Sequence, residues 1–95
     1  MNQYEALYII VPTLDDEAIK ASVEKFKGIV VNNGGEVVAV DEWGKKRLAY
    51  PIAYKTEGYY VLMSFSCPPE LPKELERNFK NDEAILRYLV TRKEA

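Results

Sequence analysis

Two runs of the chain carry apolar residues at helical spacing, Ile19, Val23, Phe26 and Val30 in one and Leu71, Leu75 and Phe79 in the other, and each is flanked on both sides by stretches with strand character. That order is the strongest constraint on the fold. Tyr4 to Val11 is rich in aromatic and β-branched residues, lies just before Pro12 and is too short for a helix, which predicts a first strand. Either Thr13 or Asp15 can cap the helix that follows, Asp16 and Glu17 suit the positive end of its dipole, and Asn32-Asn33-Gly34-Gly35 stops it. Val37, Val38 and Val40 mark a second strand that runs on past Gly44 through Leu48, Tyr50 and Ile52 to a turn at Lys55 to Gly58. Pro51 within it predicts an edge position, because proline has no N–H to give to a ladder. Tyr59 to Ser66 alternates with period two, and Tyr59, Val61, Met63 and Phe65 form its core face. Pro68 to Pro72 leads into the second helix, and Ile85 to Lys93 forms a fourth strand, with Leu86, Tyr88 and Val90 opposed to Arg87, Leu89 and Thr91.

The order β-α-β-β-α-β, with right-handed crossovers, puts both helices on one face of a four-stranded antiparallel sheet. This is an α+β, ferredoxin-like sandwich, expected as a single domain over residues 1–95. Its second face is open. Alternation directs Leu7, Ile9, Tyr60, Leu62 and Leu89 toward that face, which is unusually apolar for a solvated surface. The face is expected to meet a partner, unless a bulge or register shift hides some of these side chains.

Composition removes several chemistries. Among 95 residues there is no His and one Cys, so the usual zinc and haem ligand sets, a Ser-His-Asp triad and a Cys-His dyad are excluded, and no cofactor is expected. Cys67 has no partner for an internal bridge, which fits a reducing compartment. The longest apolar run, Ala6 to Val11, falls far short of the roughly 20 residues that span a bilayer, and Met1 to Glu5 carries no Lys or Arg, so a cytoplasmic protein with no membrane contact is expected.

The chain has 13 Lys and Arg against 15 Asp and Glu, but the charges are segregated. Lys45, Lys46, Arg47 and Lys55 share a stretch without acids, and Arg87, Arg92 and Lys93 stand near the C-terminal end, whereas the acids concentrate in the two helices. Local potential concentrates phosphates, so this pattern suits a polyanion; ordinary solubilising charge is the alternative reading.

The fold hosts many activities, so residues must decide among them. A phosphatase of this topology needs a phosphate cradle between the first strand and first helix, yet Val11-Pro12-Thr13-Leu14-Asp15-Asp16 has no Gly, no Arg and two carboxylates. The same loop lacks the Cys-x-x-Cys of a metal carrier. Asp15, Asp16 and Glu17, or Asp41 and Glu42, are explained by helix capping and solvation rather than acid-base chemistry. An RNA-recognition motif stacks bases on its central strands, but Glu57-Gly58-Tyr59-Tyr60-Val61-Leu62 has an acid where a base belongs, and Tyr59 falls on the core face.

Gly44-Lys45-Lys46-Arg47-Leu48-Ala49-Tyr50-Pro51-Ile52-Ala53 resembles the signature of the family of the sixth protein of the bacterial small ribosomal subunit. Tyr4-Glu5, Pro12 with Leu14-Asp15, Gly34, and Gly58-Tyr59-Tyr60 agree in order, so the resemblance spans essentially the whole chain. It implies a non-enzymatic protein, monomeric when isolated, that joins the small-subunit protein numbered eighteen (S-eighteen) and with it binds the central domain of small-subunit ribosomal RNA. On this reading Lys45, Lys46 and Arg47, and also Arg87, Arg92 and Lys93, are the candidate RNA contacts. Leu7, Ile9, Tyr60, Leu62, Leu89 and Tyr50 form the candidate partner face, and Trp43 anchors the bend by packing, with no ligand role. The chain departs from many members at Asn2 and Gln3, where they carry an Arg. A stand-alone RNA-binding module and a dimeric regulatory domain remain the competing classes.

Overall fold

The computed structural model describes residues 2–52 and 55–93. Its elements follow in the order β1 (Asn2–Ile10), α1 (Asp16–Asn32), β2 (Glu36–Ile52), β3 (Lys55–Cys67), α2 (Leu71–Lys80) and β4 (Ile85–Arg92). The sheet is antiparallel throughout with spatial order β2-β3-β1-β4. β2, the strand that contains Pro51, is therefore an edge.

Capping residues set the ends of α1. Asp15, rather than Thr13, is the N-cap, and its Oδ1 accepts from the Ala18 N–H at 2.8 Å. At the other end Gly34 lies in the left-handed region (φ 85°) while its N–H donates to the Val31 carbonyl and the Gly35 N–H donates to the Val30 carbonyl at 2.8 Å. Those two bonds satisfy carbonyls that the helix leaves orphaned. The second helix starts without a side-chain cap and relies on Pro72 in its first turn.

Both helices lie on the face of β1 and β3 that presents Tyr4, Ala6, Tyr8 and Ile10 beside Val61, Met63, Phe65 and Cys67. Ile19, Val23, Phe26 and Val30 of α1 and Leu71, Leu75 and Phe79 of α2 complete this core. At its centre the Phe79 ring stacks on Phe26 with centroids 4.3 Å apart and on Tyr88 at 5.4 Å, and Tyr8 lies 4.9 Å from Phe79. Phe79 thus ties α2 to α1, β1 and β4. Burial, then the charge of Glu70, raises the pKa of the Cys67 thiol, so it behaves as a small apolar side chain.

Three details differ from simple alternation. The third strand begins at Lys55 instead of Tyr59, because Glu57 and Gly58 still pair with Arg47 and Lys46, and Lys55 pairs with Ile52. In β2 the register shifts between Val37 and Ala39, which leaves Val38 exposed and lets Val37 and Val40, three positions apart, both reach the core. In β4 the register shifts between Arg87 opposite Ile9 and Ile85 opposite Ile10, so Ile85 takes the core position expected of Leu86.

Two measurements check this core. Phe79→Ala removes the common ring of the cluster and is expected to cost about 3–5 kcal/mol in urea denaturation. The Tyr8 hydroxyl is fully buried and has no hydrogen-bond partner among the described residues, and burial, followed by the charge of Glu42, raises its pKa above the usual tyrosine value. The folded state therefore keeps the phenol protonated where the unfolded chain would ionise it. Its contribution to stability is fully present below about pH 10 and is lost as pH rises above that value. Tyr8→Phe, which removes an unpaired buried hydroxyl, is expected to be neutral or stabilising by up to about 2 kcal/mol at neutral pH and to flatten the alkaline loss.

Candidate nucleic-acid interface

The open face is shaped by the hairpin of β2 and β3, which extends past the end of β1: Ile10 pairs with Tyr59, while Gly58, Glu57 and Lys55 pair only with β2. Within that hairpin Glu42 opposes Val61 and Gly44 opposes Tyr60, so one extra residue enters β2 at Trp43-Gly44. Gly44 has φ 82°, a left-handed geometry that residues with a Cβ adopt at a cost. The insertion reverses the face of the paired residues that follow it, as far as a further register shift between Arg47 and Ile52. Lys46 now lies opposite Gly58 on the open side, and Lys45, opposite Tyr59, turns to the helix side.

Leu48 follows Lys46 onto the open side and packs there. A Cβ built on Gly58 would collide with Ile9 and touch Leu48, which shows how closely the hairpin lies on β1. Further along, the Arg87 guanidinium lies 5.4 Å from the Tyr50 ring centroid and donates to the Tyr50 hydroxyl. β2 and β4 are opposite edges of the sheet. Tyr50 reaches Arg87 because the distal hairpin curls back over the open face across Ile9.

Of the six apolar and aromatic residues expected on the partner face, Ile9 is only 8% exposed and is covered by the chain's own hairpin. Leu7, Tyr60 and Leu62 are half-buried, Leu89 is 59% exposed and Tyr50 is 54% exposed. Leu7, Ile9, Arg87 and Leu89 line a shallow groove of about 360 Å³ at this end of the sheet. The apolar open face expected from alternation is thus present, with one corner closed by Leu48.

The basic residues fall into two groups. Lys45, Lys46 and Arg47 sit exposed on the hairpin, and none of them is in an ion pair among the described residues. Arg87 shares this end of the sheet through its contact with Tyr50. Arg92 pairs with Tyr4, whereas Arg87 pairs with Ile9, five residues along β1 and about 17 Å away at the usual strand rise. Arg92 donates to the Asn2 side chain at 3.1 Å, and the Lys93 N–H donates to the Gln3 carbonyl at 2.8 Å, so both belong to the far end. The hairpin cations and Arg87 are brought together; Arg92 and Lys93 are not.

Trp43 does more than anchor the bend. It is 40% exposed, stacks on Tyr60 at 6.2 Å with 12° between the planes, donates its Nε1–H to Asp41 at 3.0 Å and lies under the Lys46 ammonium at 5.2 Å. An aromatic residue directly before Gly and a basic triplet was the available signal in the sequence. On the helix side Tyr59 donates its hydroxyl to Glu42 at 3.0 Å, and burial together with that bond raises its pKa. No group of three or more Cys, Asp or Glu able to hold a metal occurs among the described residues.

The profile of the family described as "Ribosomal protein S6" matches residues 3–92, nearly the whole of this architecture. The chain belongs to the ribosomal protein S6 family. Among its relatives, small ribosomal subunit protein bS6 of Clostridium novyi is 51% identical over 94 residues, with 99% of each chain covered. The protein of the same name from Caldanaerobacter subterraneus is 48% identical over 92 residues, covering 97% of each. The crystal structure of 30S ribosomal protein S6 from Thermotoga maritima superposes with a TM-score of 0.93 at 29% identity, over 97% of this chain and 87% of that one. As a member of the family this chain is a ribosomal protein of the small subunit, structural and not an enzyme.

The curl of the S6-family hairpin has a direct test. Gly58→Ala places a methyl group against Ile9 and is expected to cost about 1–3 kcal/mol in urea denaturation. Combined with Ile9→Ala, the pair should cost less than the sum of the two single changes, because the clash and its relief share one contact.

Proposed function

We propose that this S6-family protein binds the central domain of small-subunit ribosomal RNA together with S-eighteen, through its cations and the apolar open face of its sheet. Family membership across residues 3–92 is the observation that carries this reading. Lys45, Lys46, Arg47 and Arg87 supply cations at the hairpin end, and Arg92 and Lys93 supply a second, separate pair. Leu7, Tyr60, Leu62, Leu89 and Tyr50 offer the apolar area for the partner protein, with Ile9 supporting them from beneath the hairpin. The protein is monomeric before it meets that partner.

Charge accounts for the need of a partner. A net charge of −2 gives this body little long-range attraction for RNA, so its local cations work best beside a more basic protein. Phosphate contacts of this kind orient a protein on shaped RNA and carry little sequence information.

A gel shift of the central-domain RNA fragment, with and without S-eighteen over a range of salt, tests the reading. The shift is expected only with both proteins. Replacing Lys45, Lys46 and Arg47 together by Ala should weaken it and reduce the slope of log K against log salt by about 2–3. A shift by this protein alone would favour an independent RNA-binding module; none with both proteins would remove the assembly reading.

A further inference from the structure

We propose that Trp43 is a stacking site for an unpaired RNA base, with Lys46 taking the phosphate of the same nucleotide. The proposal rests on the RNA-binding reading above and names the chemistry of one contact within it. Sequence logic assigned Trp43 to packing alone, yet its geometry is that of a preorganised platform. Tyr60 supports one side of the indole at 6.2 Å, nearly parallel, and the Nε1–H bond to Asp41 fixes the rotation of the ring in its plane. The ring nonetheless stays 40% exposed, so part of its surface is open to a ligand.

The surroundings select the occupant. Lys46 hangs over the ring at 5.2 Å with no carboxylate in ion-pair distance, and Lys45 and Arg47 flank it on the strand, equally without ion pairs among the described residues. Aromatic face and unpaired cations together match a nucleotide, which offers a flat base and an anion a few ångströms apart. A duplex keeps its bases stacked and can offer this site phosphates only, so the site distinguishes unpaired from paired RNA. The Gly44 insertion carries this chemistry, since it is what places Lys46 on the same face as Trp43.

Trp43 is the sole tryptophan of the chain and reports on its own contacts. The intact protein is titrated at low salt, and at ligand concentrations well above those of the gel shift so that weak local binding registers, with single-stranded oligoadenylate, with a fully paired RNA duplex of equal phosphate number and with polyphosphate, while tryptophan emission is followed. Oligoadenylate is expected to quench Trp43, and the other two are expected to bind without quenching. Trp43→Ala should weaken oligoadenylate binding roughly ten-fold, and Trp43→Phe should recover much of that loss. Lys46→Ala should weaken all three ligands. Circular dichroism melts of the variants show whether the fold is kept, and the quenching of the unmodified protein stands without any variant. Absence of quenching by oligoadenylate, or equal quenching by polyphosphate, overturns the proposal. In the complete mixture with S-eighteen and central-domain RNA, complex formation with unchanged Trp43 emission, or quenching by S-eighteen alone, overturns it while leaving the assembly reading intact. Failure of the complex beside clear oligoadenylate quenching does the reverse.

Discussion

One inserted residue in an antiparallel ladder reverses the face of the residues that follow it until the next irregularity, and in this chain the insertion at Trp43-Gly44 places Lys46 on the open side of the sheet. Upstream of it β2 pairs with β3 through one earlier register shift, between Val37 and Ala39. Downstream, Lys46 turns to the open side instead of the helix side, and past a further register shift between Arg47 and Ile52 the side chains of Leu48 and Tyr50 meet open-face residues. Leu48 then covers Ile9, Tyr50 engages Arg87, and Lys46 stands over Trp43. The last of these contacts depends on the insertion, which Gly44 permits by adopting a φ of 82° at little cost.

The two faces of the sheet answer to different demands. On the helix side the aromatic cluster around Phe79 and the apolar rows of β1 and β3 are sealed, and the one polar atom of Tyr8 left there is held neutral by burial. A close-packed interior of this kind tolerates few changes. On the open side apolar residues are left half-covered or exposed, with cations grouped at one end. Its composition suits the proposed function, in which a second protein and RNA would supply the missing cover.

Much of this was legible in the residues. The capping carboxylate of Asp15, the Gly34 stop, the edge position implied by Pro51 and the core rows all follow from local rules that act within a few residues. The Gly44 to Ile52 signature pointed to the family, and the basic triplet within it marked a candidate site. Where the structure departs from the alternation, at Leu86 and the start of the third strand, the cause is the same each time: a period-two count does not show where a partner strand skips a residue or continues to pair. The separation of Arg92 and Lys93 from the hairpin cations was equally invisible, because it is a distance along β1 and not along the chain.

By itself, the order of helical and strand patterns determined the architecture, since right-handed crossovers leave one compact arrangement for two helices and four strands. Apolar alternation also determined that the second face would be greasy. Tertiary structure alone decided which of those residues remain available: Ile9 is covered and Leu89 is not, because the hairpin curls over one corner of the sheet and leaves the rest free. The meeting of Tyr50 with Arg87, 37 positions apart, and the stacking of Trp43 on Tyr60 are likewise products of that curl and of the bulge behind it. Both arise from pairing between strands, a physical relation between distant segments that no window of local sequence contains.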